Sequence, residues 1–266
     1  MSSDLATLLN VDDIESAAKK NLSNAAWAYY FSAADDKLTK SLNNEAYRSI
    51  LMRPRVMIDV RNCDTSTSFL GQPVKVPFFV SPAALACLAH ESGEQGIAQA
   101  CARAGVMQII SNNASMNPEQ IVKDSPEGQI FGFQLYGQID KKKSEDMLHR
   151  VNRLSHRIKF ICLTVDAPVP GKREDDERVK HAESDVARMS DFQEKKEQHA
   201  QPAPSLRGGI GATLFAGTDP SLTWKETLPW LAKCTDLPIV LKGIQTHEDA
   251  YLASLHAPQI LSLIHI

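Results

Sequence analysis

An α/β architecture built on a parallel sheet is what this sequence predicts, and three observations predict it. Strand-like and helix-like segments alternate from Val76 onward, in five strand–helix units followed by a sixth strand. Three of the strand candidates, FGFQLY (131–136), FICLTVD (160–166) and IVLK (239–242), are near-continuous apolar runs, as in parallel strands covered on both faces. Each run ends in polar groups that a packed core would not choose. When such strands close into a barrel, their C-terminal ends form the active site. Gln134, Tyr136, Thr164, Asp166 and Lys242 then meet on one rim. The expected fold is a TIM (β/α)8 barrel, incomplete at about five and a half β/α units, with an N-terminal helical extension. The alternative, a doubly wound open sheet, lacks its Gly-rich fingerprint after the first strand.

The elements follow in chain order. Residues 11–49 read as helical: Val11-Asp12-Asp13 can start a helix, and Ile14, Ala17 and Ala18 keep helical spacing. A second helix is expected around Asn24–Ala34. The stretch from Pro54 to Thr67 reads as a connector with short extended pieces. VPFFVS (76–81) is the first strand, and GEQGIAQACARAG (93–105) the first crossover helix, with Gly105 as its stop. VMQIIS precedes NPEQIVKDS, and GQIFGFQLY precedes KKKSEDMLHRVNRLS. FICLTVD leads into a long interruption before WKETLPWLAKCT. LPIVLKG precedes THEDAYLASLH, and QILSLIHI reads as the last strand.

The interruption, 168–220, is far longer than a normal barrel loop. Its charged composition suggests solvated, mobile backbone, either a plain insertion or a lid over the rim. Its glycine cluster, Gly208-Gly209-Ile210-Gly211, has no strand before it, so a flexible turn is expected rather than a phosphate cradle.

At 266 residues, with 43% hydrophobic and 23% charged residues, the chain is an ordinary globular protein. A formal net charge of −3 gives no reason to expect nucleic acid or an anionic membrane as a partner. No apolar stretch approaches the roughly 20 residues that span a bilayer. The first twenty residues lack a secretory signal, so a cytoplasmic or mitochondrial location is expected, a longer precursor being able to carry an address. Five scattered cysteines without a C-x-x-C pair argue against a zinc site or a disulfide framework and for buried, reduced thiols.

Seven segments in order carry a resemblance: AWAYYFSAADD (26–36), RPRVMIDV (53–60), VPFFVSPAA (76–84), FQLYG (133–137), LTVDAPVPGKRE (163–174), DPSLTW (219–224) and LPIVLKG (237–243). From about Val11 to His256 the chain resembles the FMN-dependent α-hydroxy acid dehydrogenases, the family of glycolate oxidase and of the flavin domain of cytochrome b2-type L-lactate dehydrogenase. The resemblance implies one FMN-binding barrel domain over 1–266, with a helical segment at 1–60 and the partial barrel at 76–266. It implies that the backbone of Ser81, Pro82, Ala83 and Ala84 passes along the flavin. Ser111, Gln134 and Thr164 would bond the edge of its ring, with Lys242 near N1 and O2. Tyr29 and Arg173 match the pair that holds a substrate carboxylate, Tyr136 a phenol near the substrate hydroxyl, and Asp166 the carboxylate that pairs with a catalytic histidine. A helix N-cap is the plainer role for Asp166.

The implied reaction is oxidation of an L-2-hydroxy acid to the 2-keto acid, with lactate favoured by the fungal-like motifs and a glycolate-type oxidase as the alternative. Electrons pass to a cytochrome or to oxygen, and intact relatives are expected to be homo-tetramers. Two departures stand out. The family's Ser-Gly-Ala is Ser32-Ala33-Ala34 here, tolerable if φ stays negative. The family's Ser-Asn-His-Gly-Gly-Arg at the sixth strand is replaced by Ser262-Leu263-Ile264-His265-Ile266, and no catalytic role is carried onto His265. This reading expects a truncated chain, poorly stable and inactive by itself. Two rivals remain: a Schiff-base aldolase using Lys242, and a non-enzymatic fragment that associates through an open sheet edge.

Overall fold

The computed structural model describes residues 5–179, 209–256 and 260–264. Two compact units emerge: Met1–Met57 with Pro170–Ala216, and Ile58–Val169 with Gly217–Ile266.

The first unit is helical. A short 3-10 turn, Leu5–Thr7, precedes α1 (Val11–Asn21), α2 (Asn24–Phe31) and α3 (Leu38–Ser49). The Asn10 side chain caps α1 by accepting from the amide of Asp13 at 2.8 Å. Acidic Asp12 and Asp13 open α1 and Lys19 and Lys20 close it, matching the helix dipole. Of the three helices only α2 is buried, through Ala25, Ala26, Ala28 and Tyr29. It packs on α7 (Glu174–Val179). The helical stretch expected over 11–49, with a second helix around Asn24–Ala34, is three helices, and α2 stops at Phe31, short of Ala34. Beyond it the positive-φ residues are Asp35 (φ 46°) and Lys37 (φ 60°), so Ala33 and Ala34 meet the condition that glycine was not needed there.

A flexible turn was expected at the glycine cluster, and the described part of it is instead the start of a helix, α8 (Ile210–Leu214), with Gly209 at its N-cap. The cause is Asp176, only 3% exposed, whose carboxylate accepts from the amides of Ile210 (3.1 Å) and Gly211 (2.7 Å). A Cβ on Gly209 would lie 2.4 Å from the Asp176 carboxyl carbon, so glycine is needed for this close approach. Within the interruption at 168–220, residues 180–208 lie outside the described residues, so the lid expectation falls largely there.

The second unit carries the sheet. A hairpin comes first, β1 (Thr67–Phe69) and β2 (Gln72–Val74), with Leu70 (φ 50°) and Gly71 (φ 73°) in its two-residue turn. Six parallel strands follow in sequential order: β3 (Phe79–Val80), β4 (Met107–Ile110), β5 (Phe131–Leu135), β6 (Ile158–Thr164), β7 (Ile239–Lys242) and β8 (Ile260–Ile264). Between them run α4 (Gly93–Ala104), α5 (Pro118–Lys123), α6 (Lys141–Asn152), α9 (Trp224–Cys234) and α10 (His247–Leu255). Strands paired in chain order with a helix after each are the repeating unit of an incomplete TIM barrel. Among the described residues, β3 and β8 are the end strands and do not pair with each other. Gly105 ends α4 in the left-handed conformation (φ 68°), as its position suggested.

Two apolar sets hold the sheet. Ile110, Phe131, Phe133, Leu135, Ile161, Leu163, Ile239 and Leu241 face the helices, where Leu148 and Leu231 meet them. Met107, Ile109, Phe160, Cys162 and Val240 form the opposite, inward face. Phe69 and Leu70 of the hairpin close the inward face, with the Phe69 ring edge-on to Phe160 at 5.4 Å. The connector expected at 54–67 therefore leads into a plug for the barrel floor. All five thiols are free, but only Cys101 and Cys162 are buried as expected; Cys87 and Cys234 are half-buried and Cys63 is exposed.

Candidate active site

Period-two alternation places the site. From Phe160 the inward residues of β6 are 160, 162 and 164, and those of β4, β5 and β7 are 107 and 109, 132 and 134, and 240. Continuing each series toward the C-terminal end reaches Ser111, Gln134, Tyr136, Thr164, Asp166 and Lys242. The lower levels of that face are apolar and its top level is polar.

The polar level is joined side chain to side chain. The Gln134 amide donates to Thr164 Oγ1 at 3.0 Å, and its carbonyl accepts from the main-chain N–H of Asn112 at 3.0 Å and from the Ser111 hydroxyl at 3.4 Å. The Ser111 hydroxyl in turn accepts from the Asn113 amide at 3.2 Å. Ser111, Gln134 and Thr164 are all buried. Across β7, Lys242 Nζ lies 3.8 Å from Asp166 Oδ1, and both side chains are mostly shielded. Among the described residues Asp166 caps no helix: it folds over Gly243, whose φ of 107° and lack of a Cβ leave room for the carboxylate.

Burial, then the charge of Asp166, then Cys162, raise the Tyr136 phenol above its ordinary 10.0. Tyr136 is therefore a hydrogen-bond donor at neutral pH. Burial pushes the Cys162 thiol from 9.0 up to about 12, against the pull of Lys242. Both groups keep their protons in the folded state at pH values where the unfolded chain releases them. The stability these two groups contribute is then fully present below about pH 9 and is lost as pH rises toward about 12. Urea midpoints measured across that range should fall steadily, and Cys162→Ala should flatten the decline.

Ser81, Pro82, Ala83 and Ala84 follow β3 directly, with Ala83 exposed and the other three half-buried. The loop they begin is tied to the loop after β4, since the Leu85 amide donates to the Asn113 carbonyl at 3.1 Å. Ser81–Ala84, Ser111, Gln134, Tyr136, Thr164, Asp166 and Lys242 thus share one end of one sheet.

Tyr29 and Arg173 are brought together in the helical unit. The Arg173 guanidinium lies 5.2 Å from the Tyr29 ring. It donates to the carbonyls of Tyr29 and Ser32 and, through Nε, to the Ser32 hydroxyl at 3.1 Å. Arg173 therefore holds the C-terminal end of α2, an anchoring role that the sequence did not suggest. Asn112 and Asn113 were also missed: in SNNAS they look like any turn residues, and only the fold brings Asn112 to Gln134. His265 lies outside the described residues.

A flavin ring edge alternates hydrogen-bond donors and acceptors. The polar level offers an amide, two hydroxyls and an ammonium group on a face that is otherwise apolar, so the residues present fit such a ring. They fit a Schiff-base lysine less well, because the Lys242 ammonium faces a carboxylate.

Known proteins agree with this geometry. The profile of the FMN-dependent dehydrogenase family matches residues 18–260. L-lactate dehydrogenase (cytochrome) of Saccharomyces cerevisiae is 37% identical over 254 residues, covering 94% of this chain and 41% of that protein. Glycolate oxidase 1 of Zea mays is 34% identical, covering 94% of this chain and 66% of its own length. Among solved structures, the recombinant flavin-binding domain of baker's yeast flavocytochrome b2 superposes with a TM-score of 0.79 at 35% identity, covering 97% of this chain and 59% of that one. The chain thus spans less than half of its yeast relative. No helix among the described residues is long and apolar enough to cross a membrane. The family profile, the relatives and the rim converge: the chain belongs to the FMN-dependent dehydrogenase family.

Proposed function

We propose that the rim serves FMN-dependent oxidation of an L-2-hydroxy acid, lactate first, to the 2-keto acid. The observation that carries this reading is the buried Ser111–Gln134–Thr164 chain, with Lys242 on the same inward face. Burying polar groups costs stability unless they are hydrogen-bonded, and these bond one another at the strand ends where barrel active sites form. Ser111, Gln134 and Thr164 would hold the ring edge, the backbone of Ser81–Ala84 would flank it, and Lys242 would place positive charge beside it. Bound FMN would supply the two-electron acceptor.

Substrate recognition falls to Tyr29 and Arg173 through the carboxylate, and to Tyr136 through the hydroxyl. Arg173 also fixes the end of α2 that carries Tyr29. Tyr136, kept protonated by its surroundings, donates to the substrate oxygen. Asp166 would orient and favour the charged form of a proton-accepting histidine. No residue of this chain is assigned that histidine's role, so we propose that residues 1–266 alone bind the hydroxy acid without turning it over.

The test loads the purified chain with FMN and adds L-lactate, then glycolate, without oxygen. The expected result is uptake of FMN and a shift of its visible absorbance with L-lactate, smaller with glycolate, without bleaching. Bleaching by L-lactate would contradict the lack of turnover. A larger shift with glycolate would favour the glycolate-type reading. Failure to take up FMN at any concentration would overturn the flavin reading.

A further inference from the structure

Beneath the rim lies a carboxylate that none of the preceding roles uses. Glu94, in the first turn of α4, is 1% exposed. Its Oε1 accepts two main-chain N–H groups at once, from Ala86 at 2.9 Å and from Ser115 at 2.8 Å. Ala86 opens a 3-10 turn (Ala86–Leu88) in the connection after β3, which begins at Ser81, and Ser115 belongs to the loop after β4, which begins at Ser111. Two further bonds stitch the same loops: Leu85 N–H to the Asn113 carbonyl at 3.1 Å, and Cys87 N–H to the Ser115 hydroxyl at 3.0 Å. Glu94 is the only shared acceptor of the two loops among these bonds.

Its burial is costly. Glu94 Oε2 has no hydrogen-bond partner among the described residues, and a buried carboxylate oxygen without a donor is expensive. The positive end of α4 offsets part of that cost. A site that needed only a filler would not retain the charge. An acceptor strong enough to hold two amides from separate loops explains it, because hydrogen bonds to a charged acceptor are roughly twice as strong as neutral ones.

We propose that Glu94 is a positioning residue: its carboxylate sets the 81–86 loop against the 111–115 loop, and thereby the edge that meets the flavin. The loop placement stands on the geometry alone, while its consequence for FMN rests on the function proposed above.

Amide hydrogen exchange on the 266-residue chain separates the two. The amides of Ala86 and Ser115 should be protected in the wild type although neither lies in a strand or an α-helix. In Glu94→Ala both should exchange at least about tenfold faster. Glu94→Gln keeps a neutral, weaker acceptor oxygen and should restore part of the protection, placing it between the wild type and Glu94→Ala. FMN affinity should follow the same order, whereas Leu148→Ala, a destabilising change under the helices of the same unit, should leave protection at 86 and 115 intact. Fast exchange of these amides in the wild type, or unchanged protection in Glu94→Ala, overturns the proposal. If Glu94→Ala does not fold, the wild-type and Glu94→Gln patterns decide. If the exchange pattern holds while the wild type takes up no FMN, the loop tie stands and the flavin reading fails.

Discussion

Gly132→Val is expected to destabilise the chain by more than about 3 kcal/mol. Gly132 sits on the inward face of β5, and the Phe160 ring of β6 occupies the space a side chain would need. A Cβ at 132 would lie 2.3 Å from Phe160 Cζ, far inside contact distance. Phe160 cannot retreat, because it is 1% exposed and packed edge-on against Phe69 of the hairpin plug. Overpacking a tight core costs about 1–3 kcal/mol for a modest intrusion, and valine adds three carbons. Against a total stability of about 5–15 kcal/mol, that intrusion removes a large part of the margin. Urea unfolding followed by circular dichroism checks it, and Gly132→Ala should show a smaller loss in the same direction. Combining Gly132→Ala with Phe160→Leu should recover part of that loss, since the two positions share one space. A Gly132→Val chain as stable as the wild type would mean that Phe160 does not fill the inward face.

Asp176→Ala should destabilise the helical unit by about 2–4 kcal/mol. The carboxylate is buried and accepts from two amides at the start of α8. Removing it strands both N–H groups and removes the cap, and hydrogen bonds to a charged acceptor are worth about 1.5–3 kcal/mol. Asp176→Asn keeps an acceptor oxygen and should lose about half as much. Thermal unfolding of the three chains gives the comparison. Equal midpoints for all three would show that α8 does not depend on this carboxylate.

The sheet was largely legible in the sequence because its strands are covered on both faces. Phe131–Leu135, Ile158–Thr164 and Ile239–Lys242 read as apolar runs for the same reason that they are buried. The polar ends of those runs marked the rim, because period-two alternation continues the inward face past the last apolar residue. The floor of the barrel was not legible: TSFLGQPV looks like any connector, and only the fold brings Phe69 onto Phe160. Asp176 in EDDERV reads as one solvated acid among several, and its burial follows from the docking of α8. Glu94 in GEQG carries the same disguise, an acidic residue in a helix's first turn. Carboxylates that accept main-chain N–H groups from distant loops leave no local pattern, since their partners contribute backbone and no side-chain identity.

Equilibrium titration with FMN, followed through the flavin's own fluorescence, tests the central claim most directly. Wild type is to be compared with a chain carrying Gln134→Leu and Thr164→Val, which keep the shape of the buried level and remove its polarity. The expected result is saturable one-to-one binding by the wild type, weakened at least about tenfold in the double variant. Absence of saturable binding by the wild type, or equal affinity in the two chains, would contradict the assignment of the Ser111–Gln134–Thr164 level as the flavin's seat.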